Sequence, residues 1–317
     1  MISTTGAAPL QGEELKAAWL RMKEGKGFIP LKIGADTLGV PEAVLQNVLQ
    51  GPGIVRLRSE FVPLLESVRQ FGKIMGNLRN GHFVALPVGE FSELSFEGDI
   101  ARARGGSIDV SFNLARWSSA FGVTEESRGA LRRNLCFFDD CGDAAYKVIL
   151  WSKEADDIFD KLVEKFKGNS DEKVVTSGSN HEDWSSAEKY QDLQSISDDA
   201  PKRTESLFRA CIEQEINVEW YIPTRAAAQT YRGPLRTMEA RKDLEGWFDI
   251  LYPHFMTHMG VAEVARCVIA PSETSQSQSV VMIAGNDRVI CVLGLGSDNR
   301  PAAKDAWAEA VTSGVIG

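Results

Sequence analysis

An α+β fold made of two similar units is the architecture this sequence predicts, and three observations predict it. Two stretches share one plan of strand, acidic glycine-containing turn, strand and amphipathic helix. They are "LRRNLCFFDDCGDAAYKVIL" before "ADDIFDKLV", and "SQSVVMIAGNDRVICVLGLG" before "AAKDAWAEAV". A recurrence at about half the chain length signals an internal duplication. Upstream of each copy lie short apolar runs broken by Gly, Asn and Pro, the punctuation of strands. Segments of helical periodicity flank these runs, which places helices beside sheets in both units.

Each element follows from local pattern. In "GEELKAAWLRMKEG", Leu15, Trp19 and Met22 share one helical face. In "IGADTLGVPEAVLQNVLQG", Leu38 and Val40 precede Pro41, which opens a helix that Gly51 ends. "SEFVPLLESVRQFG" predicts a third helix with Phe61, Leu64, Leu65, Val68 and Phe71 inward. From Gly72 the character changes to strands: "KIMGNLR", "HFVALPV", "FSELSFEG", "SIDVSFN" and "WSSAFGV". The acidic hairpin follows, then the helix "SKEADDIFDKLVEKFKG" with Ile158, Phe159, Leu162 and Phe166 as its inner stripe. Residues 169–202 are polar, rich in Ser and Asp and almost without apolar periodicity, which predicts a mobile linker. A helix begins at Thr204 in "TESLFRACIEQEI", and more strands follow. Within the duplication "IDVSFN" answers to "FMTHMG", and "WSSAFGVTEE" to "EVARCVIAPSE". The expected division is therefore 1–168, a linker at 169–202, and 203–317.

Composition narrows the function classes. With 43% apolar and 25% charged residues, the chain has the make-up of a soluble globular protein. No apolar run reaches the ~18 residues of a membrane span, and the N-terminal stretch lacks the pattern of a secretory signal. The 5 cysteines are odd in number and scattered, which suits reduced thiols and a cytoplasmic setting. None has CxxC spacing, against a zinc or dithiol site. A net charge of -9 argues against nonspecific nucleic-acid binding. The segment "IGADTLGVPEAVLQNVL" has the outline of a helix-turn-helix, but "PEAVLQNVLQ" carries no basic residue to grip phosphate, so a structural helical hairpin is expected.

The cluster "DDCGD" poses a metal site against a turn. Its echo "AGND" has neither the cysteine nor the same set of carboxylates, and the two share only Asp or Asn beside Gly between strands. That is hairpin-turn chemistry. Carboxylates alone, without convergent ligands from elsewhere, do not make a cation site.

These residues resemble a known family. "RWSSAFGVTEES" with "LRRNLCFFDDCGDAAYKVIL", "VRQFGKIMGNLRNGHFV" with Arg79 and Asn80, "GWFDILYPHFMTHM" and "DAWAEAV" are similar to blocks of the cytoplasmic hemin-degrading and haem-carrier proteins of the HemS/ChuS type. The resemblance implies two similar halves, each a large antiparallel β-sheet with flanking helices. It implies a haem in a cleft, held by an axial histidine with arginines and a tyrosine near it. The chain departs from the family at those positions. Trp184 falls where the family's axial histidine segment begins, but "SSAEKYQDLQSIS" follows and holds no histidine. A second family histidine reads Val84-Ala85-Leu86, a family arginine reads Ser111, and the C-terminal Tyr-Gly-x-Arg reads Gly294-Leu295-Gly296-Ser297.

Of the 4 histidines, His258 occupies a family histidine position in an expected strand and is the first candidate for a haem-iron ligand. The commoner use of such a residue is structural. His181 sits in the polar segment and is the second candidate; His254 and His82 are expected at the surface. Arg225, Tyr231 and Arg232 lie near a family hairpin, where arginines would hold a propionate in a bidentate pair. Met75, Met256 and Met259 read as core.

The resemblance thus implies haem or another tetrapyrrole as ligand, in binding, transfer or degradation during haem-iron utilisation. A haem-import or haem-oxygenase protein is the implied partner, without nucleic acid or membrane insertion. The competing expectation is a non-enzymatic relative that has lost haem binding and holds another ligand or a protein partner.

Overall fold

The computed structural model describes residues 10–312 except 27–28, 82, 128, 177, 243, 253 and 273–276. In chain order the elements are α1 (Gly12–Lys23), α2 (Leu31–Leu38), α3 (Glu42–Val48), β1 (Ile54–Leu57), α4 (Phe61–Val68), β2 (Ile74–Arg79), β3 (Phe83–Glu97), β4 (Ile100–Gly106), β5 (Ile108–Asn113), β6 (Trp117–Ser127), β7 (Ala130–Asp139) and β8 (Ala144–Leu150). They continue with α5 (Asp156–Phe166), α6 (Ala200–Glu213), β9 (Asn217–Pro223), β10 (Ala227–Pro234), β11 (Thr237–Ala240), β12 (Trp247–Tyr252), β13 (Phe255–Gly260), β14 (Val264–Pro271), β15 (Gln278–Ala284), β16 (Val289–Leu295) and α7 (Pro301–Thr312). The fold is α+β with antiparallel pairing, as the sequence predicts.

Two compact units form, and they are not the contiguous segments expected. One comprises Met1–Phe71 with Arg116–Asn180, the other Gly72–Ala115 with His181–Gly317. The reason is strand exchange. β5 pairs with β10 and β3 pairs with β13, so strands from early in the sequence are built into the sheet of the late ones.

In the first unit β1, β6, β7 and β8 pair in that order. Helices α1 to α3 bury Leu15, Trp19, Ala35, Val40 and Leu45 together. A Cβ at Gly34 would come within 1.9 Å of the Trp19 ring, so this helix approach requires glycine. Helix α3 turns Ala43 onto Phe121, Val123, Cys136 and Phe138 of the sheet. Its Glu42 is also buried and receives a 2.8 Å bond from Lys147. The second helix of the expected hairpin is thus a packing element. Trp117 stacks on Phe137 at 4.6 Å, and the Phe61 ring meets it edge-on at 5.4 Å. Phe159, Leu162 and Phe166 are the buried stripe of α5.

In the second unit the pairing runs β2-β3-β4-β5-β10-β9-β16-β15-β14, and β3 also carries β13, β12 and β11. On one face α6 packs Phe208 against Trp220 at 5.0 Å, and both residues are 0% exposed. Asp199 caps α6 by accepting the Lys202 N–H at 3.1 Å, so the helix starts four residues before the expected Thr204. The duplication is visible in connectivity: β6-β7-β8 leads into α5 as β14-β15-β16 leads into α7. β5 and β13, the strands of "IDVSFN" and "FMTHMG", make the reciprocal exchanges.

Two sequence expectations are corrected. "HFVALPV" and "FSELSFE" are one long strand, β3, and "IARARGG" forms β4, which the pattern reading passed over. Residues 169–202 do not form a free linker. In the first unit the Glu172 carbonyl accepts from Asn47 and from Arg56, and the Gly178 N–H donates to the Asp140 carbonyl at 2.9 Å. In the second unit residues 182–196 form a strap on β14, β15 and β16. Ser186 bridges Arg288, Ser195 bridges Val268, and Tyr190 sinks among Val268, Ala270, Val281, Ile283 and Val289. Buried side chains spaced along a polar segment hold it, although no helical or strand period announces them.

Candidate functional site

The strands of the second unit build a cleft. Alternation along each strand sends every second side chain to one face. On that face lie Arg102 and Arg104 of β4, Asp109 and Ser111 of β5, Thr230 and Arg232 of β10, Glu219 and Tyr221 of β9, and Val292 and Gly294 of β16. The strap supplies a wall through Glu182, Asp183, Trp184, Glu188, Lys189 and Tyr190. The volume of this open cleft is about 1170 Å³, large enough for the biggest of the small-molecule sites, which run ~300–1,000 Å³.

The strap is pinned by charge and by backbone bonds. Arg288 reaches Asp183 at 3.1 Å and the Ser185 hydroxyl at 2.7 Å, while Arg225 lies 3.7 Å from Asp183. Partial burial raises the Asp183 pKa, but the Ser185 hydrogen bonds and the Arg288 and Arg225 charges outweigh it, and the net pKa is lowered. The Val289 N–H donates to Ser185 O at 2.8 Å and the Ala187 N–H to Asp287 O at 3.1 Å.

Charge in the cleft is mixed. Arg232 pairs with Asp109 and with Glu219, the latter at 2.8 Å. Burial opposes its charge, but these two carboxylates raise its pKa. Arg104 lies 3.1 Å from Asp109, and both Arg102 and Arg104 are about half exposed. Lys189 sits 5.0 Å from the centre of the Tyr190 ring. Among the described residues lining the cleft there is no histidine, cysteine or methionine.

The sequence candidates are dispersed. Arg232 lines the cleft, and with Tyr231 it also lines a smaller cavity of about 320 Å³ that includes Tyr252. The Tyr231 hydroxyl donates to Pro234 O at 2.8 Å, and burial, then Tyr252, raises its pKa far above the ordinary phenol value. Arg225 braces the strap. His181 is exposed at the strap's start, next to Glu182. His258 is on β13, where its Nδ1 lies 2.7 Å from Asp249 Oδ1 and 3.3 Å from Arg241; it is not among the residues lining the cleft. His254 is exposed with φ at 67°, and His82 lies outside the described residues.

What sequence reasoning missed is β4 and the aromatic residues. The run Ala-Arg-Ala-Arg in "IARARGG" is a period-two pattern with small residues inward and arginines outward, so the signal was present. Tyr221 in "VEWYIP" sits in the same kind of alternation.

Asp139, Asp140 and Cys141 bring potential metal donors within 4.8 Å of one another. Their atoms are engaged as a turn requires. Asp139 Oδ1 accepts the N–H groups of Cys141 and Asp143, both at 2.9 Å, and Asp140 Oδ1 pairs with the buried Arg116 at 2.8 Å. Gly142 takes φ 84° at the turn. Burial pushes the thiols of Cys136, Cys211 and Cys291 up to about 12, which keeps them protonated.

A cleft of this volume on one sheet face has room for a small molecule. Residues 39–166 match the family described as the haemin-degrading HemS.ChuX domain. Over 135 residues, 42% of this chain and 39% of the relative, the sequence is 30% identical to the hemin transport protein HmuS of Yersinia pestis. It is 28% identical over the same share to the hemin transport protein HemS of Yersinia enterocolitica. These alignments thus span well under half of the curated relatives. The fold extends further. The heme-binding protein PhuS of Pseudomonas aeruginosa in its holo form superposes with a TM-score of 0.78 at 22% identity, over 97% of this chain and 99% of that one. The heme-degrading enzyme ChuS of Escherichia coli O157:H7 does so at 0.79 and 16%, over 95% and 99%. Residues 39–166 are thus similar to the HemS/ChuX domain, and the whole chain shares the fold of PhuS and ChuS.

Proposed function

We propose that this protein handles haem or a closely related iron porphyrin, holding it in the cleft of the second unit for transfer during haem-iron utilisation. The observation that carries the reading is the cleft itself. About 1170 Å³ is lined by Trp184, Tyr190 and Tyr221 for an apolar macrocycle and by Arg102, Arg104, Lys189 and Arg232 for carboxylates, within a HemS/ChuS-type fold. Aromatic faces and burial bind the ring, and guanidinium groups suit propionates. Ser111 and Gly294 stand where the resemblance puts an arginine and a tyrosine, which leaves room in the cleft. Among the described residues no helix is long and apolar enough to cross a membrane. The setting proposed is the cytoplasm, with a protein donor or acceptor for the porphyrin.

Titrating the purified chain with hemin tests this. The expected result is a saturable Soret shift at one equivalent, weakened by the double change Arg102→Ala and Arg104→Ala. One observation favours a second reading: no histidine lines the cleft among its described residues. A hemin spectrum unchanged by excess protein would favour that reading, a relative that has lost haem and takes another ligand.

A further inference from the structure

We infer that Asp109 is a positioning residue of the cleft: it holds Arg104 and Arg232 so that their outward N–H groups together seat the carboxylates on one edge of the ligand. The inference rests on the porphyrin reading above.

Strand pairing sets up a row of alternating charge. Arg104 of β4 and Asp109 of β5 are direct cross-strand partners, and so are Arg232 of β10 and Glu219 of β9. β5 and β10 pair with Val110 opposite Gln229, which brings Asp109 and Arg232 together across the exchanged strands. In the order β4-β5-β10-β9 the row reads Arg, Asp, Arg, Glu, and all four residues line the cleft. The hydrogen bonds follow the row. Asp109 Oδ1 accepts from Arg104 Nε at 3.1 Å, Asp109 Oδ2 accepts from Arg232 Nη1, and Glu219 Oε2 accepts from Arg232 Nε at 2.8 Å. One carboxylate thus ties two guanidinium groups from strands that do not pair with each other.

The tied arginines keep donors for a ligand. A guanidinium carries five N–H donors in a fixed plane. Arg104 uses one on Asp109, and Arg232 uses one on Asp109 and one on Glu219. The donors left over are on the Nη atoms, and both side chains are about half exposed. A carboxylate takes two such donors side by side, so the pair can receive two carboxylates. An arginine already held in place loses less rotamer freedom on binding than a loose one. The Asp109 charge repels an acidic ligand little, because two arginines already offset it.

The other half of the row is uncharged. Beyond Glu219 it continues in Gly294 of β16, Ser279 of β15 and Ala270 of β14. This division orients an amphiphilic macrocycle, with its acidic edge toward β4 and β10 and its apolar body toward the strap.

Hemin and hemin dimethyl ester, titrated against the unaltered chain and its variants, test this. The unaltered chain should bind hemin roughly tenfold more tightly than the ester, the worth of one hydrogen bond to a charged group. Asp109→Asn should bind hemin roughly tenfold more weakly, although it removes a negative charge, and should bind the ester as before. Asp109→Ser, too short to bridge the two arginines, should do the same and stands in if the Asn variant folds poorly. With Arg104→Gln and Arg232→Gln both present, adding Asp109→Asn should bring no further loss. A merely structural Asp109 would weaken acid and ester alike, and a merely electrostatic one would make Asp109→Asn the tighter binder of hemin; either result overturns the inference. Equal binding of acid and ester by the unaltered chain would also overturn it and leave the cleft reading standing. No Soret shift on adding hemin to the unaltered chain would overturn both.

Discussion

Replacing Tyr190 with Ala should release the strap without unfolding the sheet beneath it. The Tyr190 ring is the largest side chain that residues 182–196 place in the cluster with Val268, Ala270, Val281, Ile283 and Val289, and 9% of its surface stays exposed. Truncating a buried aromatic residue costs ~3–5 kcal/mol, and partial exposure puts this one near ~3 kcal/mol. Because the ring contributes to docking the strap and not to pairing among β14, β15 and β16, the loss falls on local opening. At about 1.4 kcal/mol per tenfold, the open population should rise roughly a hundredfold. Amide hydrogen exchange reads this directly. Ala187 N–H donates to Asp287 O and Ile196 N–H to Cys267 O, so both amides report strap opening. They should exchange roughly a hundredfold faster, while Val281 and Leu293 inside the sheet keep their rates. Unchanged protection at Ala187 and Ile196, or uniform acceleration across the unit, would refute the reasoning.

Lowering the pH should loosen the same strap. The Asp183 pKa is depressed in the folded state, so its stabilisation is complete above the ordinary carboxylate value of ~3.9 and is lost as pH falls through the lower folded value. Strap exchange followed from pH 5 downward should show this dependence in the unaltered chain and lose most of it in Asp183→Asn. At the acidic hairpin, Asp139→Asn keeps one acceptor oxygen for the two turn N–H groups but loses its charge, and should destabilise by ~1–2 kcal/mol. Melting curves of this variant and of Cys141→Ser should respond to added calcium or zinc as the unaltered chain does; a metal-dependent rise seen only in the unaltered chain would make the hairpin a metal site. Asp140→Ala removes the carboxylate paired with the Arg116 guanidinium, which is 4% exposed, and should cost ~3–5 kcal/mol in urea unfolding. A loss under ~1 kcal/mol would show that Arg116 finds other partners, such as water.

The sequence by itself determined the class of fold, the duplication and the turn character of "DDCGD". Those features are written in local periods and in turn residues, which act within a few positions of one another. The inward faces of α1, α4 and α5 were legible for the same reason: a buried stripe repeats every three or four residues. The blocks that resemble the HemS/ChuX domain were legible as well, and so was the lack of a histidine after Trp184. Only tertiary structure decided that β5 pairs with β10 and β3 with β13, because strand exchange depends on which edges meet and leaves no local trace. It also decided that residues 182–196 are a docked strap. Tyr190 and Ile196 are buried by partners more than seventy residues away in sequence, so the polarity of their own neighbours misleads. The cleft is a product of the same long-range pairing. Arg102, Ser111, Tyr221 and Gly294 belong to four strands, and only the order of those strands puts them on one surface.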